Sequence, residues 1–192
     1  MRGQSWLASV IFALIGFGGG YFAGARGPAG VSGGTPAPSS LGMPAACYFS
    51  PDGGCTDAIV AELSDARNSI DLEGYSFTSH AIGDALIAAQ KRGVHVTVVL
   101  DAAQTSEYRK EAQYLVHHGV PVYLDAKHAI AHNKVVLIDA RTLITGSFNF
   151  TKAAEDQNAE NVLVLHDQPK LQSAYENNFQ IHLSHSLPYD GT

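Results

Sequence analysis

Apolar residues recur along most of the chain with two different periods, one typical of helices and the other of strands. Ile59, Leu63 and Ala66 follow a helical spacing, whereas the β-branched run 94–100 is typical of a strand buried in a sheet. Such patterns predict helices over 56–68, 79–93, 107–118 and 171–183, and strands over 70–77, 94–100, 120–124, 133–138, 142–145 and 161–165. Because most of the helices lie between successive strands, we expect an α/β domain whose mixed, mostly parallel sheet is flanked by helices.

The beginning of the chain has a different pattern. No charged residue lies between Arg2 and Arg26, and the apolar run that fills this interval ends in the small residues 23–25. Residues 1–25 therefore predict either a cleaved secretory signal or an uncleaved membrane anchor. The first alternative makes the protein periplasmic or otherwise exported, and the second anchors it in the inner membrane with its domain outside the cytosol. Residues 26–45 are rich in Gly, Pro and Ser and predict a flexible linker, which leaves 46–187 as the folded domain.

Composition and charge narrow the functions that this domain can have. The chain has 192 residues, of which 45% are hydrophobic, so it can bury a core and is not disordered as a whole. Its formal net charge of −6 excludes a generic basic coat for nucleic acid, so any phosphate binding must depend on a few well-placed cations.

The two cysteines, Cys47 and Cys55, flank a turn signal. In an oxidising compartment they predict a disulfide, with two free buried thiols as the alternative.

One segment concentrates groups that can act on a phosphodiester. His132 and Lys134 lie two residues apart on a predicted strand and so point to the same face. The next strand runs back beside them and brings Ser147 and Asn149 to the same end, where Gly146 allows a close approach of backbone or ligand. An ammonium and neutral donors suit phosphoryl oxygens, and imidazole can attack phosphorus. Neither a carboxylate trio for Mg²⁺ nor an HExxH motif accompanies them, so we expect a metal-free phosphodiesterase without a cofactor.

The spacing H-x-K-x4-D-x6-G-S-x-N is identified as the signature of the phospholipase D superfamily. The stretch 146–162 further resembles the small bacterial Nuc-type endonucleases, and the likeness extends over about 46–185. This resemblance implies a metal-independent endonuclease that cuts DNA without sequence preference, with RNA as a further substrate. The alternative is a phospholipase D that hydrolyses phosphatidyl headgroups, for which an uncleaved N-terminal anchor would hold the enzyme at its lipid.

The resemblance also implies a role for each motif residue. His132 is expected to be the nucleophile that forms a phosphohistidine intermediate, while Lys134 and Asn149 hold the phosphate and Ser147 assists them. Glu160 matches the family's acid that hydrogen-bonds to the histidine and orients it, as a carboxylate does in other triads.

The number of motifs implies a partner. The superfamily mechanism uses two copies of the motif, and these 192 residues contain only one. We therefore expect a homodimer in which each chain contributes one His132 to a shared site.

Asp139 resembles the family's structural aspartate, and by its position it lies at a hairpin turn away from the ligand.

The other histidines carry no predicted function. His128 lies four residues before His132, but in a stretch that lacks a helical pattern, which argues against a shared metal. The simplest interpretation makes three more of them surface or helix-end groups: His166, His182 and His185. The sequence therefore predicts no metal ligand.

Overall fold

The computed structural model describes residues 44–104 and 106–192. The predicted signal or anchor over 1–25 lies outside these residues, as does the predicted linker except for its last two positions. Of those two, Ala45 already belongs to a strand, so the folded domain begins slightly before the predicted boundary. Among the described residues, no helix combines the length and the apolar character needed to cross a membrane.

The described residues form eight strands and five helices. In chain order they are β1 (Ala45–Ser50), α1 (Cys55–Asp65), β2 (Ser69–Gly74), α2 (His80–Lys91), β3 (His95–Asp101), α3 (Ser106–His117), β4 (Val122–Asp125), β5 (Lys134–Ile138), β6 (Thr142–Gly146), α4 (Lys152–Asp156), β7 (Glu160–His166), α5 (Pro169–His185) and β8 (Leu187–Pro188).

The predicted helices and strands are all present, with shifted ends. Three elements were not predicted: the strands β1 and β8 and the five-residue helix α4. The two-residue β8 and the five-residue α4 do not repeat a period often enough to show it in the sequence, whereas β1 is as long as β2 but overlaps the end of the predicted linker. A local hydrogen bond from the backbone N–H of Ala154 to the hydroxyl of Thr151 (3.1 Å) caps α4.

The strands form one mixed sheet in the order β1-β7-β6-β5-β2-β3-β4-β8. The predicted α/β class and mixed sheet are confirmed, but the expectation of a mostly parallel sheet is wrong. Among the described strands, only β2, β3 and β4 pair in parallel, through the crossover helices α2 and α3. The other neighbours pair antiparallel. For β5 and β6 the cause is the tight turn that reverses the chain between them.

The two faces of the sheet are covered unequally. Helices α1, α2 and α3 pack on one face over the main hydrophobic core, which includes Ile59, Leu86 and Val98. On the opposite face α5 packs alone, where Phe179 contacts a smaller cluster that includes Val99. The adjacent positions 98 and 99 serve different cores because successive side chains of a strand point to opposite faces.

The residues that carry polar chemistry lie at one edge of the sheet, the edge formed by the ends of several strands rather than by an outer strand. Strands β2, β3 and β4 end at this edge, and because β5 and β7 run antiparallel to their neighbours, they begin there. The register pairs Gly74 with Lys134 and Asp101 with Asp125, and β6 ends at the same edge with Gly146. The predicted catalytic motif is thereby assembled at the ends of β5, β6 and β7, which follow one another in the chain.

The two cysteines are free thiols, so the predicted disulfide is not formed. Cys47 is exposed on β1, whereas Cys55 is fully buried at the start of α1. Tyr48, the neighbour of Cys47, shares the main core with Cys55, so the Cys47 side chain points to the other face of the sheet. Burial of Cys55, together with the nearby carboxylate of Glu155, raises the pKa of its thiol to about 11.

Candidate active site

Lys134 is held at the first position of β5 by the strand register. Its side chain is only 7% exposed, and its Nζ donates a hydrogen bond to the backbone carbonyl of His132 at 3.0 Å. Burial lowers the pKa of the Lys134 ammonium, and the negative charge of Glu160 opposes that shift. A cation that is fixed by its own neighbour and largely desolvated interacts more strongly with a phosphate than a solvated surface lysine does.

The ring of His132 is exposed and rests against one aromatic neighbour. Residues 126–133, here called the His132 loop, connect β4 to β5 and carry His132 near their end. The imidazole and the ring of Tyr75 have centroids 4.6 Å apart, and the Nζ of Lys134 lies 5.2 Å from the same Tyr75 centroid. Tyr75 therefore packs against both groups. The sequence prediction missed this role because it assigned Tyr75 to the interior of a strand, whereas β2 ends one residue earlier.

Glu160 and Ser147 form the next part of the site. The hydroxyl of Ser147 donates to one carboxylate oxygen of Glu160 at 2.5 Å, and the side-chain amide of Asn158 donates to the other at 3.1 Å. Ser147 Oγ also accepts the backbone N–H of Asn161 at 3.1 Å. Both oxygens of Glu160 thus have partners other than His132, and the orienting role that the resemblance implies for Glu160 stays a prediction.

Gly146 allows the chain to pass close to its neighbour strand. A Cβ atom at this position would collide with the carbonyl oxygen of Asn161. That same oxygen accepts the backbone N–H groups of Ser147 (3.2 Å) and Phe148 (3.3 Å). The close approach that the sequence predicts at Gly146 is therefore made by backbone, and it fixes the segment that carries Ser147 and Asn149.

Asn149 offers an unpaired polar atom. It lies between Phe148 and Phe150, which are both buried in the core, so its backbone is firmly held. Its Oδ1 atom is buried and has no hydrogen-bond partner within 44–104 and 106–192. An unsatisfied buried polar atom costs free energy, but Oδ1 is an acceptor and does not bind a phosphoryl oxygen; the nitrogen of the same amide is the group that can donate to one.

Two buried acids that the sequence prediction missed hold the residues on either side of His132. Glu73 accepts the side-chain amide of Asn133 at 2.6 Å, and Asp101 accepts the backbone N–H of Ala131 at 2.6 Å. In the sequence, Glu73 interrupts one apolar strand and Asp101 ends another, and this unusual position of an acid was the signal that could have identified them. Together they restrain the His132 loop at positions 131 and 133.

Asp139 lies at the opposite end of β5 from Lys134. Its carboxylate accepts the backbone N–H groups of Arg67, Asn68 and Ser69 at 2.7–2.8 Å and so ties the β5–β6 turn to the start of β2. Burial by itself would raise the pKa of Asp139, but these three hydrogen bonds outweigh it and hold the pKa below its usual range. The residue is remote from the phosphate-binding groups.

The interpretation of three histidines as surface or helix-end groups is wrong for His166, whereas His182 and His185 do lie on the last turn of α5 but are not solvated surface groups. Each has a mostly buried side chain that contacts a buried carboxylate: His166, His182 and His185. His166 lies 3.0 Å from Glu62. The other two lie against Asp125, together with His128. The sequence did not reveal these contacts because they join residues far apart in the chain.

Comparisons with known proteins agree with the geometry. A family model described as "Cardiolipin synthase, PLD-like domain" matches residues 59–183. The chain is 40% identical over 141 residues to a phospholipase D of Rickettsia typhi, a match that covers 73% of this chain and 69% of that protein. It is 36% identical over 109 residues to the human mitochondrial cardiolipin hydrolase, covering 57% of this chain and 43% of that protein.

A solved structure is similar over almost its whole length. The crystal structure of Nuc from Salmonella typhimurium, a phospholipase D family member, superimposes with a TM-score of 0.73 and 35% identity. The match covers 76% of this chain and 97% of Nuc. The fold of the described residues, with its open mixed sheet, is thus shared with Nuc.

Proposed function

The chain belongs to the phospholipase D superfamily and is a phosphodiesterase, and we propose that its substrate is DNA, cut without sequence preference, with RNA as a further substrate. The observation that carries this proposal is the likeness to Nuc, which covers 97% of that chain, together with the motif extension typical of Nuc-type endonucleases. The cardiolipin hydrolase, in contrast, is covered over less than half of its length.

The reaction that we propose has two displacements at phosphorus. A ring nitrogen of His132 forms a bond to phosphorus while the bond to the leaving oxygen breaks, and a second imidazole, His132 of another copy, gives that oxygen its proton. Water then attacks the phosphohistidine, the second imidazole accepts the proton of the water, and the N–P bond breaks. Lys134 and the amide nitrogen of Asn149 stabilise charge on the phosphoryl oxygens, and Ser147, whose hydroxyl proton is donated to Glu160, assists by holding that acid.

The homodimer that this mechanism needs is supported by an apolar patch beside the site. Phe49 is 60% exposed and Leu163 is 36% exposed. They share one face of the sheet, because Phe49 is opposite Asn161 in the β1–β7 register and positions 161 and 163 point the same way. Asn161 contacts Ser147, so the patch borders the site. A second copy that covers it would bring its own motif close to this one.

We expect the variant Phe49→Asp to dissociate the dimer and to reduce cleavage about tenfold or more, because a buried unpaired charge opposes association. Sedimentation equilibrium and plasmid nicking at the same protein concentration measure the two effects. The matched control is Leu187→Asp, which alters a similarly exposed leucine on β8, the outermost strand on the opposite side of the sheet from β1. A wild-type monomer with full activity would contradict the dimer.

The second candidate is hydrolysis of phospholipid headgroups. Ile130 is 54% exposed on the His132 loop, a position suited to contact a lipid surface, and the rickettsial relatives carry the name phospholipase D. The membrane anchor that residues 1–25 predict would favour the same substrate. For this candidate the chemistry at phosphorus is unchanged and only the leaving group differs.

Parallel assays distinguish the two substrates. The full chain is given supercoiled plasmid in one arm and phosphatidylcholine vesicles in the other, both in EDTA and at a temperature where circular dichroism reports a folded protein. We expect plasmid nicking that persists in EDTA and that is absent from the His132→Ala variant. Headgroup release without nicking would overturn the nuclease proposal. Nicking that stops in EDTA and returns with Mg²⁺ but not with Zn²⁺ would overturn the metal-independent mechanism.

A further inference from the structure

A cluster of three imidazoles surrounds one carboxylate beside the active site. Oδ2 of Asp125 lies 2.9 Å from Nδ1 of His128, 2.8 Å from Nδ1 of His182 and 3.2 Å from Nε2 of His185. The four donor atoms all lie within 4.8 Å of one another. Asp125 is buried at the end of β4, whereas His182 and His185 are 13% and 16% exposed on the last turn of α5.

Hydrogen bonding alone explains this convergence poorly. A carboxylate oxygen has two lone-pair directions, yet three imidazole nitrogens approach the same oxygen of Asp125. A tetrahedral zinc site with bonds of about 2.0–2.1 Å separates its donor atoms by roughly 3.3 Å. The three distances from Asp125 to the imidazoles are close to this value, and the remaining donor pairs, all within 4.8 Å, would close slightly around an ion. Three imidazoles and one carboxylate are also a donor set that zinc accepts.

The spacing of the four groups is that of a site built from two short segments. Asp125 and His128 lie three residues apart at the start of the His132 loop. His182 and His185 lie three residues apart on α5, so they share one helix face. Each segment supplies two donors, and the cation would bridge a loop to the C-terminal helix.

We propose that Asp125, His128, His182 and His185 form a structural site for a divalent transition-metal ion, with zinc as the expected ion. All four positions of the tetrahedron are filled by protein groups, so the ion has no open position for substrate or water. Its role is to fasten the His132 loop to α5. The site therefore adds no metal to the chemistry at phosphorus, and the proposal stands whichever phosphodiester is the substrate.

A second contact links the cluster to the catalytic motif. Nδ1 of His182 lies 3.3 Å from a carboxylate oxygen of Glu73, and that same oxygen accepts the side-chain amide of Asn133. Asn133 precedes Lys134 and follows His132. An ion bound at Nδ1 of His182 would occupy the atom that faces Glu73, so it would restrain the His132 loop at its beginning through His128, while Glu73 holds Asn133 at the end of the loop independently.

Metal binding by the full chain, purified without a histidine tag, tests this site. After removal of metal by a chelator, we expect titration to bind about one zinc per chain and to raise the Tm by about 5 °C or more. Co²⁺ bound in its place should give the strong visible absorption of tetrahedral coordination. The His185→Ala variant should lose both the stoichiometric binding and the Tm shift.

The matched control for His185→Ala is His95→Ala. His95→Ala removes an exposed histidine at the start of β3, on the opposite edge of the sheet, and should bind zinc as the wild type does. Equal zinc binding by wild type and His185→Ala would overturn the proposal. If His185→Ala fails to fold, the Co²⁺ spectrum of the wild type decides, and weak octahedral absorption would overturn it. Plasmid nicking by a chain that binds no zinc would reject this site alone and leave the proposed function intact.

Discussion

The His132→Asn variant is expected to lose phosphodiester cleavage by a factor of about 10⁴ or more, because an amide cannot form the covalent bond to phosphorus that the proposed mechanism requires. Asparagine retains polarity at an exposed position whose described ring contact is with Tyr75 alone, so the fold should be unaffected. Rates of plasmid nicking measure the loss, and thermal unfolding verifies the fold.

The intermediate can be sought directly in the same experiment. A labelled phosphodiester mixed with the wild-type enzyme and quenched in alkaline denaturant should leave label on the protein, since N–P bonds survive base. The His132→Asn protein should carry none. The matched control is His95→Asn, which should label and cleave as the wild type does. Cleavage by His132→Asn within about tenfold of the wild-type rate would show that another group attacks phosphorus.

Local patterns in the sequence were sufficient to predict most of the helices and strands and the meeting of the motif. The two-residue period of strands predicts that His132 and Lys134 share a face, and the short turn at Asp139 predicts that the next strand returns beside them. Both expectations need only the geometry of a single hairpin. The register agrees, since β5 and β6 pair antiparallel and Gly146 ends at the edge where Lys134 begins.

The parts that were not predicted depend on contacts between distant segments. Asp125 and His182 are separated by 57 positions, and Glu73 and Asn133 by 60, so no local spacing announces either pair. The direction of the strands was misjudged for a related reason. A buried apolar strand has the same composition whether its neighbour runs parallel or antiparallel, and the connections decide the direction.

Replacement of Lys134 by glutamine is expected to reduce kcat/KM by a factor of about 10²–10³, because a preorganised charged donor to a transition-state oxyanion is removed. The effect exceeds that of a surface lysine because Lys134 is buried and held by the carbonyl of His132. The matched control is Lys152→Gln, which removes an exposed lysine whose described partner is Asp156 and should change the rate little.

The pH dependence separates this electrostatic role from a structural one. Burial lowers the pKa of Lys134, so its ammonium loses the proton at a lower pH than an ordinary lysine does. Wild-type kcat/KM should therefore fall with rising pH, at a pH below the pKa of an ordinary lysine. Glu160 opposes the shift, so Glu160→Gln should lower the pKa of Lys134 further and move the alkaline fall to a lower pH. In Lys134→Gln the fall should disappear. If the same alkaline fall persists in Lys134→Gln, another group titrates there, and Lys134 does not act as the charged phosphate ligand.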